Sequence, residues 1–142
     1  MTQVDFYILA QQQPEDWLDF TCRLTEKAYR LGHKIYIHTR TQQDAEQLDE
    51  KLWTYEGNSF LPHGLASEPL ASLPPIQIGH DHEPQGYSDL LINLASPVPV
   101  FFSRFRRVAE IVPNIESHKA QSREHYRFYR DRGYPLRSHQ IP

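Results

Sequence analysis

The chain has 142 residues, 39% apolar and 23% charged, with one cysteine and a formal charge of −3. That length is enough for one well-buried core and does not require two, so a single domain over 1–142 is expected. Cys22 has no partner for an internal disulfide, no apolar run approaches the ~18 residues of a membrane span, and the start MTQVDFYILAQQQ lacks the basic residues and long apolar stretch of a signal peptide. These features predict a soluble, cytoplasmic protein without a membrane partner.

Asp5 to Ala10 is a short apolar run that predicts a strand buried on both faces, followed by a polar Gln/Pro turn. Trp17, Phe20, Leu24, Ala28 and Leu31 then recur at three- and four-residue steps, predicting a helix that Gly32 would cap. Lys34 to Thr39 is rich in β-branched and aromatic residues and reads as a strand. Thr41 and Asp44 have the spacing of a capping box ahead of the helical stripe Ala45, Leu48, Leu52 and Tyr55.

Phe60 to Leu73 reads as loop, Ile76 to Gly79 as a short strand and Asp89 to Leu94 as a buried one. Pro97 and Pro99 suit the first turn of a helix running to Phe105. Val108, Ile111 and Val112 favour a strand over Arg107 to Val112, stopped by Pro113. A last helix is expected from about Glu116 to Arg132, ending at Gly133. Strands alternating with helices predict an α/β, three-layer sandwich around a mainly parallel sheet, Rossmann-like in outline.

A nucleotide site is not expected in it. The turn after the first strand is Ala10-Gln11-Gln12-Gln13-Pro14, without glycine, and neither a GxGxxG fingerprint nor a phosphate loop occurs elsewhere. There is no G-x-S-x-G elbow, and Cys22 reads as a small buried filler within the first helix. His80-Asp81-His82 lacks a clear third metal ligand and reads as solvated loop. His63 reads as a histidine that fastens its loop, since neither carboxylate nor nucleophile lies near it in sequence. No catalysis, metal or cofactor is expected.

Charge is unevenly spread. Residues 1–103 carry 6 Lys/Arg against 14 Asp/Glu, and residues 104–142 carry 9 against 4, which suggests an anionic partner for the C-terminal third. At about 100° per residue, Lys119, Arg123, Tyr126, Arg127 and Arg130 fall within an arc of roughly 100° on the last helix. Guanidinium groups grip carboxylates or phosphates, and a tyrosine among them offers a flat face. The acidic remainder would repel an extended nucleic-acid backbone, so a short acidic peptide suits this patch better. Trp53 and Phe60, in the runs Leu48–Trp53 and Ser59–Gly64, offer large anchors of the kind that carry interface energy, although core packing accounts for them equally well.

Phe6–Leu9, Leu48–Trp53, Ser59–Ala66, Leu91–Leu94, Phe101–Phe105 and Arg123–Leu136, in this order and spacing, cover nearly the whole chain. Together they make it resemble the chi subunit family of bacterial DNA polymerase III holoenzyme, a member of the clamp-loader assembly. The loop from Ser67 to Ser88 departs from the family in length and content. The resemblance implies a non-catalytic adaptor that joins the psi subunit on one face and, on another, the acidic C-terminal tail of single-stranded DNA-binding protein, which ends in an apolar residue. It implies tail-binding positions at Lys119, Arg123, Tyr126 and Arg127, with Val112 lining an apolar pocket. Trp53 and Phe60 match the psi-facing surface, which can also receive a helicase-like repair protein, and His63 belongs to the same motif. Nucleic acid would be engaged only indirectly, by a chain that is a monomer when isolated. A direct single-strand-binding protein is the alternative, and a small-molecule enzyme on a Rossmann-like fold a third reading.

Overall fold

A computed structural model describes residues 1–13, 15–55, 60–68 and 72–142. Pro14 of the first turn, Ser59 of the aromatic motif and 69–71 of the variable loop lie outside the described residues. Strands β1 (Gln3–Leu9), β2 (Ile35–His38), β3 (His63–Leu65), β4 (Ile76–Gly79), β5 (Leu90–Asn93), β6 (Arg107–Val112) and β7 (Leu136–Ile141) form one open sheet in the order β3-β4-β2-β5-β6-β1-β7. Every neighbouring pair is parallel. Helices α1 (Asp16–Arg30), α2 (Gln42–Thr54) and α3 (Glu116–Asp131) complete the expected α/β sandwich.

Alternation along the strands splits the core in two. Ile35, Ile37, Ile76, Ile78 and Ile92 face α1 and α2, meeting Leu18, Cys22 and Ala28 from the first helix and Ala45, Leu48 and Leu52 from the second. Val4, Phe6, Tyr36, Leu91 and Val108 face the other way, under α3 and the segment that carries Phe101, Phe102 and Phe105. Full burial of each such aliphatic or aromatic side chain is worth about 1.5–3 kcal/mol, so both faces must stay covered.

The helix ends follow local chemistry. Gly32 and Gly133, with φ of 86° and 80°, take the left-handed turns after α1 and α3. At the start of α2, the Thr41 hydroxyl accepts the Asp44 N–H at 3.1 Å.

Three expectations need correction. The stretch read as loop from Phe60 to Leu73 contains β3, whose three residues pair with β4. The helix expected from Pro97 to Phe105 is only a 3₁₀ turn at Phe102–Arg104, built on i to i+3 bonds. Phe101, Phe102 and Phe105 must all enter the core within five residues, and β6 begins at Arg107, leaving no length for an α-helix. Finally, Leu136–Ile141 forms β7, an edge strand that the sequence reading did not expect.

Candidate protein-binding surfaces

Helix α3 is fixed to the sheet by a buried polar cluster. Glu110 of β6, 4% exposed, accepts the Tyr129 hydroxyl at 2.6 Å, the Asn93 amide at 2.9 Å and a bond from His125 Nδ1 at 3.0 Å. His125 Nε2 meets Ser96 Oγ at 3.0 Å. Burial, and then the adjacent Glu110 carboxyl, push the Tyr129 phenol well above its ordinary range, so it stays a donor. His125 and Tyr129 are thus the inward face of the helix.

With that face inward, Lys119, Arg123, Tyr126, Arg127 and Arg130 are turned toward solvent and toward β1 and β7. The Tyr126 ring is 38% exposed and lies 5.4 Å from the Phe6 ring of β1. Arg130 pairs with Asp131 at 3.2 Å, a solvent-exposed contact of little energetic weight. Lys119, Arg123 and Arg127 form no ion pair among the described residues. Their charge is therefore available to a ligand.

Beside this ridge the sheet is incompletely covered. Phe6 pairs with Ser138 and Ile8 with Gln140, so all four side chains project to the α3 side. Ser138 and Gln140 are exposed and Ile8 is half-buried. The result is a shelf whose apolar floor is the half-buried Ile8, bounded by Tyr126, which covers the buried Phe6, and by the neighbouring cations. Val112, across the ladder from Ile8, is 4% exposed and belongs to the core beneath the shelf. Sequence periodicity located the ridge. It missed the shelf floor, which depends on β1 pairing with β7, and the Glu110 cluster, which depends on β5 pairing with β6 beneath α3.

The second surface is at the opposite edge of the sheet. Trp53 and Phe60 are 57% and 65% exposed, with ring centroids 5.4 Å apart, so they belong to the surface and not to the core. The Trp53 ring lies 4.5 Å from that of His63, whose Nδ1 meets Leu61 O at 2.6 Å and whose Nε2 meets Asp49 O at 3.1 Å. His63 thus ties the loop to α2 and backs the aromatic pair, as its loop-fastening reading expected. Burial raises the carboxyl of neighbouring Asp49 above its ordinary value despite His63 close by. Five strand spacings separate β3 from β1, about 24 Å at ~4.8 Å each. The surfaces also belong to opposite faces of the sheet, because α2 packs with α1 on one and α3 on the other.

The remaining chemistry offers little. His80 and His82 meet edge to face at 5.3 Å, and among the described residues no three His, Cys, Asp or Glu side chains are grouped as a metal requires. Cys22 is fully buried, and burial pushes its thiol up to about 12. At the carboxyl ends of the strands, where open α/β sheets hold ligands, a cleft of about 240 Å³ is lined by Trp17, Arg40, Leu94, Ile111, Ile115 and His118 among others. Arg40 is engaged there by Leu94 O at 3.3 Å, by His118 at 3.1 Å and by Gln121. No helix among the described residues is long and apolar enough to cross a membrane.

Fold and surfaces together define an α/β domain of Rossmann-like class, without a glycine phosphate loop, whose accessible chemistry lies on the outside of the sandwich. The family described as DNA polymerase III chi subunit, HolC, matches residues 1–137, and the chain belongs to that family. It is 40% identical over 142 residues to the DNA polymerase III subunit chi of Pseudomonas aeruginosa, covering 100% of this chain and 99% of the relative. The Haemophilus influenzae subunit chi is 31% identical over 137 residues, covering 96% and 95%, and that of Escherichia coli 30% over 141 residues, covering 96% of each. Family membership places the chain among the subunits of a DNA polymerase and gives it a role in replication.

Proposed function

We propose that the chain is a non-catalytic adaptor of the clamp-loader assembly, binding the acidic tail of single-stranded DNA-binding protein on α3 and psi, or a helicase-like repair protein, through Trp53 and Phe60. The observation that carries this reading is the run of cations Lys119, Arg123 and Arg127, unpaired among the described residues, beside the apolar shelf at Tyr126. An acidic segment with an apolar terminal residue has the complementary chemistry: carboxylates for the ridge and a side chain for the shelf. The exposed aromatic pair backed by His63 supports a second, separate protein contact.

Calorimetric titration with a tail peptide tests the ridge. Arg123→Ala removes a charge-assisted contact from an exposed position, so binding should weaken by about 1–3 kcal/mol without loss of folding. Wild-type affinity should fall as salt rises, because these charges are solvent-exposed. Unchanged affinity in a folded Arg123→Ala protein would locate the tail elsewhere. Tight binding of a bare single-stranded oligonucleotide would favour the direct nucleic-acid reading.

A further inference from the structure

We infer that the free edge of β7 is a strand-addition site, at which the acidic peptide held by α3 also pairs main chain to main chain with Leu136–Gln140. This inference rests on the tail-binding reading of α3 and extends it to a binding mode. The hydrogen bonds of the edge are fixed by register. Val4 N–H donates to Pro135 O at 3.0 Å, and Ala10 N–H donates to Ile141 O at 2.9 Å. Odd-numbered residues therefore turn toward β1, and in a parallel ladder alternate residues turn the other way. The N–H and C=O groups of Leu136, Ser138 and Gln140 consequently face outward, where β7 is the last strand of the sheet.

Natural edges are usually blunted by proline, by a bulge, by being very short or by charged side chains. Of these this edge has only a charge, the exposed Arg137. Pairing with β1 runs one to one from Val4 with Leu136 to Leu9 with Ile141, without a bulge. No proline interrupts Leu136–Ile141, and the strand is twice the length of β3 at the opposite edge, which has three residues to its six. Arg137, Ser138 and Gln140 are all exposed.

Charge selects the occupant. On the α3 side the edge is overlooked by Tyr126 and the cations around it. On the other side stands Arg137, and Arg23 of α1 shares a recess with Ile141. Asp16, the acid of that recess, is engaged by the Gln13 N–H at 2.8 Å. A second copy of this chain would bring Arg137 and the α3 cations against their own kind, whereas an acidic strand meets opposite charge on both faces. Main-chain bonds would supply affinity, and alternate side chains would reach the half-buried Ile8 beside Tyr126.

The test uses a synthetic acidic peptide ending in an apolar residue with a free carboxylate. Ser138→Pro removes an outward N–H that takes no part in the ladder to β1. It should weaken this peptide by about tenfold, while Ser138→Ala, which keeps the N–H, should bind nearly as wild type. On the wild-type protein, peptide binding should slow amide exchange at Leu136, Ser138 and Gln140. A peptide N-methylated at alternate residues should bind correspondingly less, which decides the matter even if Ser138→Pro does not fold. If the peptide binds and Arg123→Ala weakens it, but the three amides stay unprotected and N-methylation has no effect, strand addition is overturned and the tail site stands. If the wild-type protein does not bind the peptide at all, both readings fall.

Discussion

Replacing Tyr129 by phenylalanine removes one oxygen from the structure and leaves the ring. The ring still packs on Phe102 and Phe6, at centroid distances of 5.3 and 6.0 Å. The bond lost is the 2.6 Å contact to Glu110, made where Tyr129 is 0% exposed and Glu110 4%. A hydrogen bond to a charged group contributes about 1.5–3 kcal/mol. For a chain of this size that lowers the thermal midpoint by roughly 5–10 °C. Glu110→Leu is the harsher perturbation, because it leaves the Asn93, His125 and Tyr129 donors without their shared acceptor, each at about 1–3 kcal/mol. Calorimetric melting of both proteins ranks them: wild type above Tyr129→Phe, and Tyr129→Phe above Glu110→Leu. Peptide affinity measured below the midpoint should stay near wild type in Tyr129→Phe, since the hydroxyl points away from the ridge. An unchanged midpoint in Tyr129→Phe, or a Glu110→Leu protein more stable than Tyr129→Phe, would refute the claim that this cluster fastens α3.

Burial alone would raise the Asp5 carboxyl, but bonds with Arg107 at 2.8 Å and His139 at 3.0 Å outweigh it and hold its pKa below the ordinary 3.8. A depressed folded pKa stabilises fully above about pH 4 and loses that contribution as pH falls through the lowered value; Asp5→Asn should therefore be less stable at neutral pH and show a shallower acid limb, and parallel pH–stability curves for the two proteins would contradict this. Cys22 should resist iodoacetamide at pH 8 in the native state, because the thiol is buried and pushed up to about 12, and should react in urea; rapid native labelling read by mass spectrometry would contradict it. Elemental analysis should find no stoichiometric metal, and one zinc per chain would give His80 and His82 a role.

Much of this was legible in the sequence because it rests on local rules. The helical stripes, Gly32, Gly133 and the Thr41 cap report α1, α2 and α3 directly, and buried runs such as Ile35–Ile37 report the central strands. The elements that were missed are those whose existence depends on a neighbour. Three residues of β3 carry no periodicity, and β7 has the polar, exposed composition of an edge, so only pairing with β1 defines it. Two prolines made a helix before Phe105 look sound, yet the demand to bury three phenylalanines in five residues produced a tighter turn. For the site, 100° periodicity collected the cations of α3 from sequence, whereas the shelf beneath them joins residues more than a hundred positions apart, as in Phe6 with Tyr126. Trp53 and Phe60 read equally well as core or surface until their exposure was seen.

The central claim is that two independent partners are held at once, on opposite edges of one sheet. Native mass spectrometry of the chain mixed with psi and a tail peptide tests it directly. A one-to-one-to-one complex is expected, because sites about 24 Å apart contribute almost independently. Arg123→Ala should remove only the peptide, and Trp53→Ala with Phe60→Ala only psi, with the thermal midpoint largely preserved. Mutually exclusive binding of the two partners, or loss of both from either variant while it remains folded, would contradict the account.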